Sequence, residues 1–94
     1  MTPVFITPQA QRDLDQLQRY LSDRFSPTNA EKYVRRLIAA CKSIGLAPHR
    51  GTQRDDLRPG LRVIGFERRV AISFETKENA VYILAILYGG RTNQ

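Results

Sequence analysis

The residues that usually build metal centres and disulfide frameworks are almost missing from this sequence. Cys41 is the only cysteine and His49 the only histidine among 94 residues. No internal disulfide can therefore form, and no zinc-type ligand spacing exists. A Gly-rich phosphate loop and a dinucleotide-binding fingerprint are also missing. We therefore expect a protein that uses no metal and no organic cofactor. Cys41 itself lies in a helical apolar pattern and is expected to be a small core residue.

Long hydrophobic runs are missing as well. The longest run, near the C-terminus, is far too short to cross a bilayer, and Met1-Thr2-Pro3 is not followed by a basic and then an apolar stretch. We therefore expect a cytoplasmic protein that makes no membrane contact. The length suits a single domain over residues 1–94 with one core.

Acidic residues are scarce relative to basic ones. Fifteen Lys and Arg stand against nine Asp and Glu, a formal net charge of +6. The excess is shared by both halves of the chain, so it belongs to the folded surface rather than to a tail. Most of these residues are Arg, which suits bidentate contacts to carboxylate or phosphate. We expect an acidic macromolecular partner, either nucleic acid or an acidic protein.

The first half of the chain predicts a strand followed by a helical hairpin. Residues 4–6 form a short apolar strand, and Thr7-Pro8 is a typical helix start. Ser26-Pro27 repeats that signal after a short link, and Gly45 is expected to end the second helix. The predicted buried stripe of the first helix comprises Ala10, Leu14, Leu17 and Leu21.

The second half predicts a loop and three strands. Residues 47–60 contain Pro and Gly among charged residues, which indicates a long loop. The hydrophobic period then changes to two, with Val70, Ile72 and Phe74 on one face of a strand and a last strand over residues 80–88. We predict an α+β fold in the order β-α-α-β-β-β, with an antiparallel sheet packed against a two-helix hairpin.

The last strand is apolar on both faces. Strict alternation places Val81, Ile83, Ala85 and Leu87 on one face, and Tyr82, Leu84, Ile86 and Tyr88 on the other. Such a strand favours a central position with both faces covered. The hairpin can cover one face. Either the long loop or another protein chain can cover the second, and the sequence leaves both alternatives open.

One catalytic chemistry remains possible, a metal-free cleavage of RNA. It requires a cationic cradle for the phosphate and groups that move protons. Four arginines could supply the cradle and Tyr88 a proton, but no residue is an obvious base. The same arginines are individually typical of solvated surface, and only their expected convergence at one end of the sheet makes them candidates. These arginines are Arg62, Arg68, Arg69 and Arg91.

Several short passages, in this order and spacing, resemble the ParE/RelE toxin superfamily of bacterial type II toxin–antitoxin systems. They are residues 10–14 (A-Q-R-D-L) with Tyr20-Leu21, 30–33 (A-E-K-Y), 48–51 (P-H-R-G) leading to 56–62 (D-L-R-P-G-L-R), and 85–91 (A-I-L-Y-G-G-R). Residues 59–62 (P-G-L-R), which lead into the predicted strands, and residues 86–91 (I-L-Y-G-G-R), at the end of the last strand, look more like ParE than RelE.

The resemblance implies a function and an alternative. ParE-type toxins poison DNA gyrase by direct binding, whereas RelE-type toxins are ribosome-dependent mRNA endonucleases that use a Lys and Arg cluster with a C-terminal Tyr or His. The corresponding strands of this chain lack a Lys-rich set. Tyr88 falls close to the RelE tyrosine, which keeps the nuclease alternative open. Many ParE relatives carry His there.

The resemblance also implies a cognate ParD-like antitoxin that forms a hetero-oligomer with the toxin, and no sequence-specific DNA binding by this chain. The candidates for target binding are Arg62, Arg68, Arg69, Tyr88 and Arg91. If the chain is a ribonuclease, its catalytic candidates are Arg62, Arg69, Tyr88 and Arg91. The candidates for antitoxin binding are Tyr33, Leu37, Tyr82, Leu84 and Ile86.

Overall fold

Two α-helices and a five-stranded sheet make up the computed structural model, which describes residues 1–89. The helices are α1 (Pro8–Arg24) and α2 (Pro27–Ser43), and the strands are β1 (Val4–Ile6), β2 (Thr52–Gln53), β3 (Arg62–Phe66), β4 (Val70–Lys77) and β5 (Ala80–Tyr88). The predicted α+β class is confirmed. The short strand β2 lies inside the predicted loop.

Both helices begin where their capping residues predict. The Thr7 hydroxyl accepts a hydrogen bond from the Ala10 amide at 3.3 Å and donates one to the Ile83 carbonyl at 2.7 Å, so it joins the start of α1 to β5. The Ser26 hydroxyl accepts from the Asn29 amide at 3.1 Å. Each cap satisfies one amide that the helix itself leaves unpaired.

The predicted role of Gly45 as a helix stop is wrong. α2 ends at Ser43, and a 3₁₀ turn over Ile44–Leu46 contains the glycine. A β-carbon at Gly45 would lie only 2.2 Å from the Thr2 carbonyl oxygen. The Thr2 amide also donates to the Gly45 carbonyl at 3.0 Å. Glycine is therefore needed here because the N-terminal segment approaches the backbone closely.

The sheet is mixed rather than wholly antiparallel as predicted, because β1 pairs with β5 in parallel, and its strand order is β1-β5-β4-β3-β2. β5 lies between a parallel neighbour, β1, and an antiparallel neighbour, β4. This central position agrees with the apolar character of its two faces. The other strand pairs are antiparallel hairpins.

The helical hairpin packs on one face of the sheet. Leu14 and Leu17 of α1 and Leu37 of α2 are fully buried against Phe74 of β4. Cys41 is fully buried in the same core, as predicted. Its burial raises the pKa of the thiol to about 11, so the thiolate that reacts with electrophiles is scarce at neutral pH.

A β-bulge in β5 overturns the predicted strict alternation. Ser73 pairs with Ala85, whereas the next residue, Phe74, pairs with Ile83, so β5 carries one extra residue, Leu84. After this point the two faces exchange places. Ile86 is 2% exposed in the core, and Leu87 is 50% exposed on the opposite face. The expectation that Ile86 and Tyr88 share a face with Tyr82 is therefore wrong.

A side chain from α1 stabilises the bulge. The Ile86 amide, just beyond the extra residue, donates a hydrogen bond to Asp13 Oδ2 at 2.9 Å. This bond satisfies a backbone donor close to the core and fixes α1 against β5. An unpaired buried amide costs about 1–3 kcal/mol. Asp13 therefore connects the helical layer to the irregular part of the sheet.

We predict that Asp13→Ala lowers the free energy of unfolding by about 1–3 kcal/mol, because it leaves the Ile86 amide unpaired. Urea denaturation monitored by circular dichroism measures this loss. Asp15→Ala is the matched control, because within residues 1–89 that exposed carboxylate accepts only from the Gln11 side chain and its loss should cost less than about 0.5 kcal/mol. Equal losses in the two variants would contradict this role for Asp13.

Candidate functional site

A groove lies where the turn between α1 and α2 meets the ends of β3, β4 and β5. Its volume is about 720 Å³. We call it the tyrosine groove, and among residues 1–89 its lining is Tyr20, Leu21, Arg24, Phe25, Asn29, Ala30, Lys32, Tyr33, Arg36, Glu67, Arg69 and Tyr88. The short link between the helices brings the end of α1 and the start of α2 to the same side of the molecule.

Aromatic rings form the walls of the tyrosine groove. The rings of Tyr20 and Tyr88 lie 5.7 Å apart, and the Tyr33 ring meets the edge of Phe66 at 5.6 Å. The Arg24 guanidinium lies 4.7 Å from the centre of the Tyr20 ring. Such contacts hold cation and ring together and limit their motion. The walls are therefore preorganised by contacts between side chains.

The tyrosine groove is strongly cationic. Arg24, Lys32, Arg36 and Arg69 line it, and Glu67 is the only carboxylate among the described lining residues. Arg36 donates two hydrogen bonds to the Glu67 carboxylate, at 3.2 and 3.3 Å. The side chains of Lys32 and Arg69 make no hydrogen bond or ion pair within residues 1–89. An anionic partner would thus find cations that are not already neutralised.

The turn between β3 and β4 has an unusual backbone. Glu67 and Arg68 have φ angles of 47° and 65°, in the left-handed region that normally favours Gly and Asn. A side chain in this region costs roughly 1–2 kcal/mol per residue. The turn nevertheless places the Glu67 carboxylate on Arg36 of α2. Strained backbone of this kind is frequent at functional sites.

One buried polar atom of the tyrosine groove has no hydrogen-bond partner among the described residues. The Tyr33 hydroxyl oxygen is buried, and no residue of the described chain makes a hydrogen bond with it. Burial raises the pKa of this phenol above its usual value of 10.0, and the Glu67 carboxylate raises it further. The hydroxyl is therefore neutral over the physiological range.

The sequence matches the model of the ParE toxin of type II toxin–antitoxin systems over residues 4–93. The chain belongs to the ParE toxin family. Among solved structures it is similar to a chromosomal ParDE TA system from P. aeruginosa, with 26% identity, 94% of this chain and 96% of that chain covered, and a TM-score of 0.82. No curated protein matches the sequence.

Two of the five residues predicted for target binding in this ParE family member lie in the tyrosine groove. They are Arg69 and Tyr88. Arg68 is exposed in the adjacent turn without lining the groove. Arg62 begins β3 at its other end, roughly 13 Å away given the rise per strand residue. Arg91 lies outside the described residues.

The expected convergence of the arginines is therefore wrong for Arg62. Its guanidinium donates to the His49 carbonyl at 2.8 Å and so holds the long loop against β3. Arg50 similarly donates to the Ser43 carbonyl at 2.6 Å, and Arg54 pairs with Asp56 at 2.9 Å. The loop arginines have a structural role in ordering the loop that the sequence pattern alone does not reveal.

The residues predicted for antitoxin binding divide among three places. Tyr33 lines the tyrosine groove. Leu37 is 0% exposed and Ile86 2%, so both lie in the core and are not available to a partner at this surface. Tyr82 and Leu84 line a smaller, shallow depression of about 230 Å³ on the other side of the sheet.

The sheet face opposite the helices, the outer face, is only partly covered. Arg58 of the long loop pairs with Glu75 at 3.4 Å, and Leu61 is buried there outside the main core. Phe5 stacks on Tyr82 with ring centres 5.6 Å apart but remains half exposed, as does Leu87. The loop thus covers one end of this face and leaves an apolar strip along β5.

Of the twelve described residues that line the tyrosine groove, only Tyr33, Arg69 and Tyr88 were predicted as site candidates from the sequence. Tyr20 and Arg24 are spaced i,i+4 on α1, and Tyr33 and Arg36 are spaced i,i+3 on α2. Such aromatic–cation pairs on both sides of a short helical link were a usable signal. Glu67 gave no comparable signal, because its role depends on the conformation of its turn.

Other types of site have no support within the described residues. No group of His, Cys, Asp and Glu among residues 1–89 could hold a metal ion. Neither helix of that part of the chain is long and apolar enough to span a membrane.

We predict that Tyr33→Phe leaves the free energy of unfolding at pH 7 unchanged or raises it by up to about 1 kcal/mol, because the lost hydroxyl has no partner. Tyr33→Ala should cost about 2 kcal/mol or more, because it also removes the ring contacts with Phe66 and Arg36. Urea denaturation at pH 7 compares the two variants with the parent chain.

The raised pKa of Tyr33 adds a pH dependence with a definite sign. The folded state holds the phenolic proton more tightly than the unfolded state, so its stabilising contribution is present below pH 10 and is lost as the pH rises above it. Tyr33→Phe should therefore lose less stability than the parent chain between pH 9 and 11. A larger loss in the variant would contradict this interpretation.

Proposed function

We propose that this chain is a toxin that inhibits DNA gyrase by direct binding, and that a cognate antitoxin neutralises it by occupying the tyrosine groove. Membership of the ParE family supports the toxin class. The similar solved chain comes from a ParDE TA system, which supports an antitoxin partner. The positions of the candidate residues support the groove as the shared site.

The observation that carries the proposal is that two sets of candidates meet in one groove. Tyr33, a candidate for antitoxin binding, lines the tyrosine groove together with Arg69 and Tyr88, which are candidates for target binding. A single bound segment would cover all three. Neutralisation by direct competition follows, because antitoxin and gyrase would then require the same side chains.

The chemistry of the groove indicates what the antitoxin segment is like. Among the described lining residues, four cations stand against one carboxylate, which favours acidic side chains and speeds their association. Leu21 and Ala30 add apolar lining, and Phe25 at the rim is 68% exposed. An amphipathic segment with apolar anchors and several carboxylates fits this surface, in the manner of other peptides that bind grooves.

The geometry favours gyrase binding over the alternative of a ribosome-dependent mRNA endonuclease. The proposed catalytic set requires Arg62 close to Arg69 and Tyr88, but Arg62 lies at the opposite end of β3 and is engaged by the His49 carbonyl. Its guanidinium could therefore not join Arg69 in holding one phosphate. Binding to gyrase does not require Arg62 and Arg69 to lie close together.

We predict that the purified protein inhibits supercoiling of relaxed plasmid by DNA gyrase. Arg69→Gln and Tyr88→Ala should each raise the concentration for half-inhibition at least about fivefold, because central contact residues carry most of the energy of an interface. Arg68→Gln is the matched control: it removes the same charge one residue away, outside the groove, and should change this concentration less than twofold.

The same preparations should be tested for cleavage of mRNA in a translation extract. Intact mRNA together with gyrase inhibition supports the proposal. Codon-associated cuts that disappear in Tyr88→Phe, with gyrase unaffected, would identify an endonuclease instead. Adding the protein encoded beside this gene should restore supercoiling, and a copurified complex that still inhibits gyrase would contradict neutralisation.

A further inference from the structure

The ion pair between Arg36 and Glu67 occupies a cation that an acidic partner would otherwise bind. It joins α2 to the β3–β4 turn, residues 31 positions apart in the chain, by two hydrogen bonds. Both side chains are substantially exposed, 55% for Arg36 and 44% for Glu67. Exposed pairs of this kind are weak and exchange readily. The Glu67 carboxylate can therefore compete with an acidic partner for the Arg36 guanidinium without blocking the groove permanently.

The turn that carries Glu67 has a backbone conformation that Glu and Arg rarely adopt. Glu67 and Arg68 both have left-handed φ angles. Turns of this type normally use Asn and Gly. The turn between β4 and β5 has the same conformation at Glu78 and Asn79, with φ angles of 53° and 63°. The Glu78 side chain has no ion pair within residues 1–89, so a glutamate in such a turn does not need an arginine partner.

We propose that Glu67 is an internal competitor whose carboxylate holds Arg36 until a carboxylate of an acidic peptide segment replaces it. This inference rests on the proposed function, in which such a segment fills the tyrosine groove. The side chains of Lys32 and Arg69 have no ion-pair partner within residues 1–89 and would take the first carboxylates. Arg36 is available only by exchange. A segment without acidic residues could not complete that exchange.

The exchange of carboxylates on Arg36 makes the groove selective for acidic segments. A neutral or basic segment that entered would leave Glu67 on Arg36 and would lose the contact with that guanidinium. An acidic segment replaces one carboxylate by another, so Arg36 stays paired throughout. Repulsion between the incoming carboxylates and Glu67 would then move the Glu67 side chain toward water, where it is already nearly half exposed.

The test compares Glu67→Gln with Glu31→Gln. Glu31 pairs with Arg35 at 3.1 Å on the exposed side of α2, outside the tyrosine groove, so both variants remove one carboxylate from one ion pair with an arginine of α2. The probe is a fluorescein-labelled 20-residue poly-L-glutamate, and fluorescence anisotropy at low ionic strength gives Kd. Glu67→Gln should bind about three- to fivefold more tightly than the parent chain, and Glu31→Gln less than about 1.5-fold more tightly.

A double-mutant cycle assigns the effect to Arg36. In an Arg36→Gln background, Glu67→Gln should tighten binding less than it does in the parent chain, because only the repulsion of the peptide by Glu67 is removed and no cation is released. Circular dichroism confirms that each variant is folded. The inference is overturned if Glu67→Gln and Glu31→Gln act equally, or if the Glu67→Gln effect is as large without Arg36 as with it.

Different results would contradict the acidic segment proposed for the groove and the competitor role of Glu67. If the parent chain does not bind poly-L-glutamate, or binds a 20-nucleotide poly-dT more tightly, the acidic segment proposed for the groove is wrong. If the parent chain binds the peptide and Glu67→Gln binds no better, only the competitor role of Glu67 is wrong.

Discussion

One extra residue in the interior strand β5 determines which of its side chains face the helices. Leu84 has no counterpart on β4, and the Asp13 carboxylate accepts a hydrogen bond from the Ile86 amide just beyond it. The residues after the bulge therefore change faces, so that Ile86 fills the core and Tyr88 points to the helical hairpin. Without this exchange Tyr88 would face away from the helices and the tyrosine groove would lose one wall.

The groove follows from that exchange together with the short link between the helices. The link brings Tyr20 and Tyr33 together at one end of the hairpin, and the bulge brings Tyr88 to the same end. The strained β3–β4 turn then adds Glu67 and Arg69. Elements that are distant in sequence thus form one cationic and aromatic surface, whose charge suits the acidic segment proposed for it.

Local signals predicted the parts of this fold that depend on local chemistry. Thr7-Pro8 and Ser26-Pro27 marked both helix starts because caps act within three residues. The placements of Ile86 and Arg62 failed for non-local reasons. A bulge depends on the partner strand and on Asp13 of another element. Arg62 is directed by the His49 carbonyl of a loop whose path no periodicity specifies.

The most direct test of this account is a nuclear Overhauser spectrum of the protein labelled at its tyrosines and alanines. The account predicts cross-peaks between the ring protons of Tyr88 and those of Tyr20, whose ring centres lie 5.7 Å apart. Cross-peaks from Tyr88 to the methyl group of Ala71, which faces the other side of β4, with none to Tyr20, would contradict it.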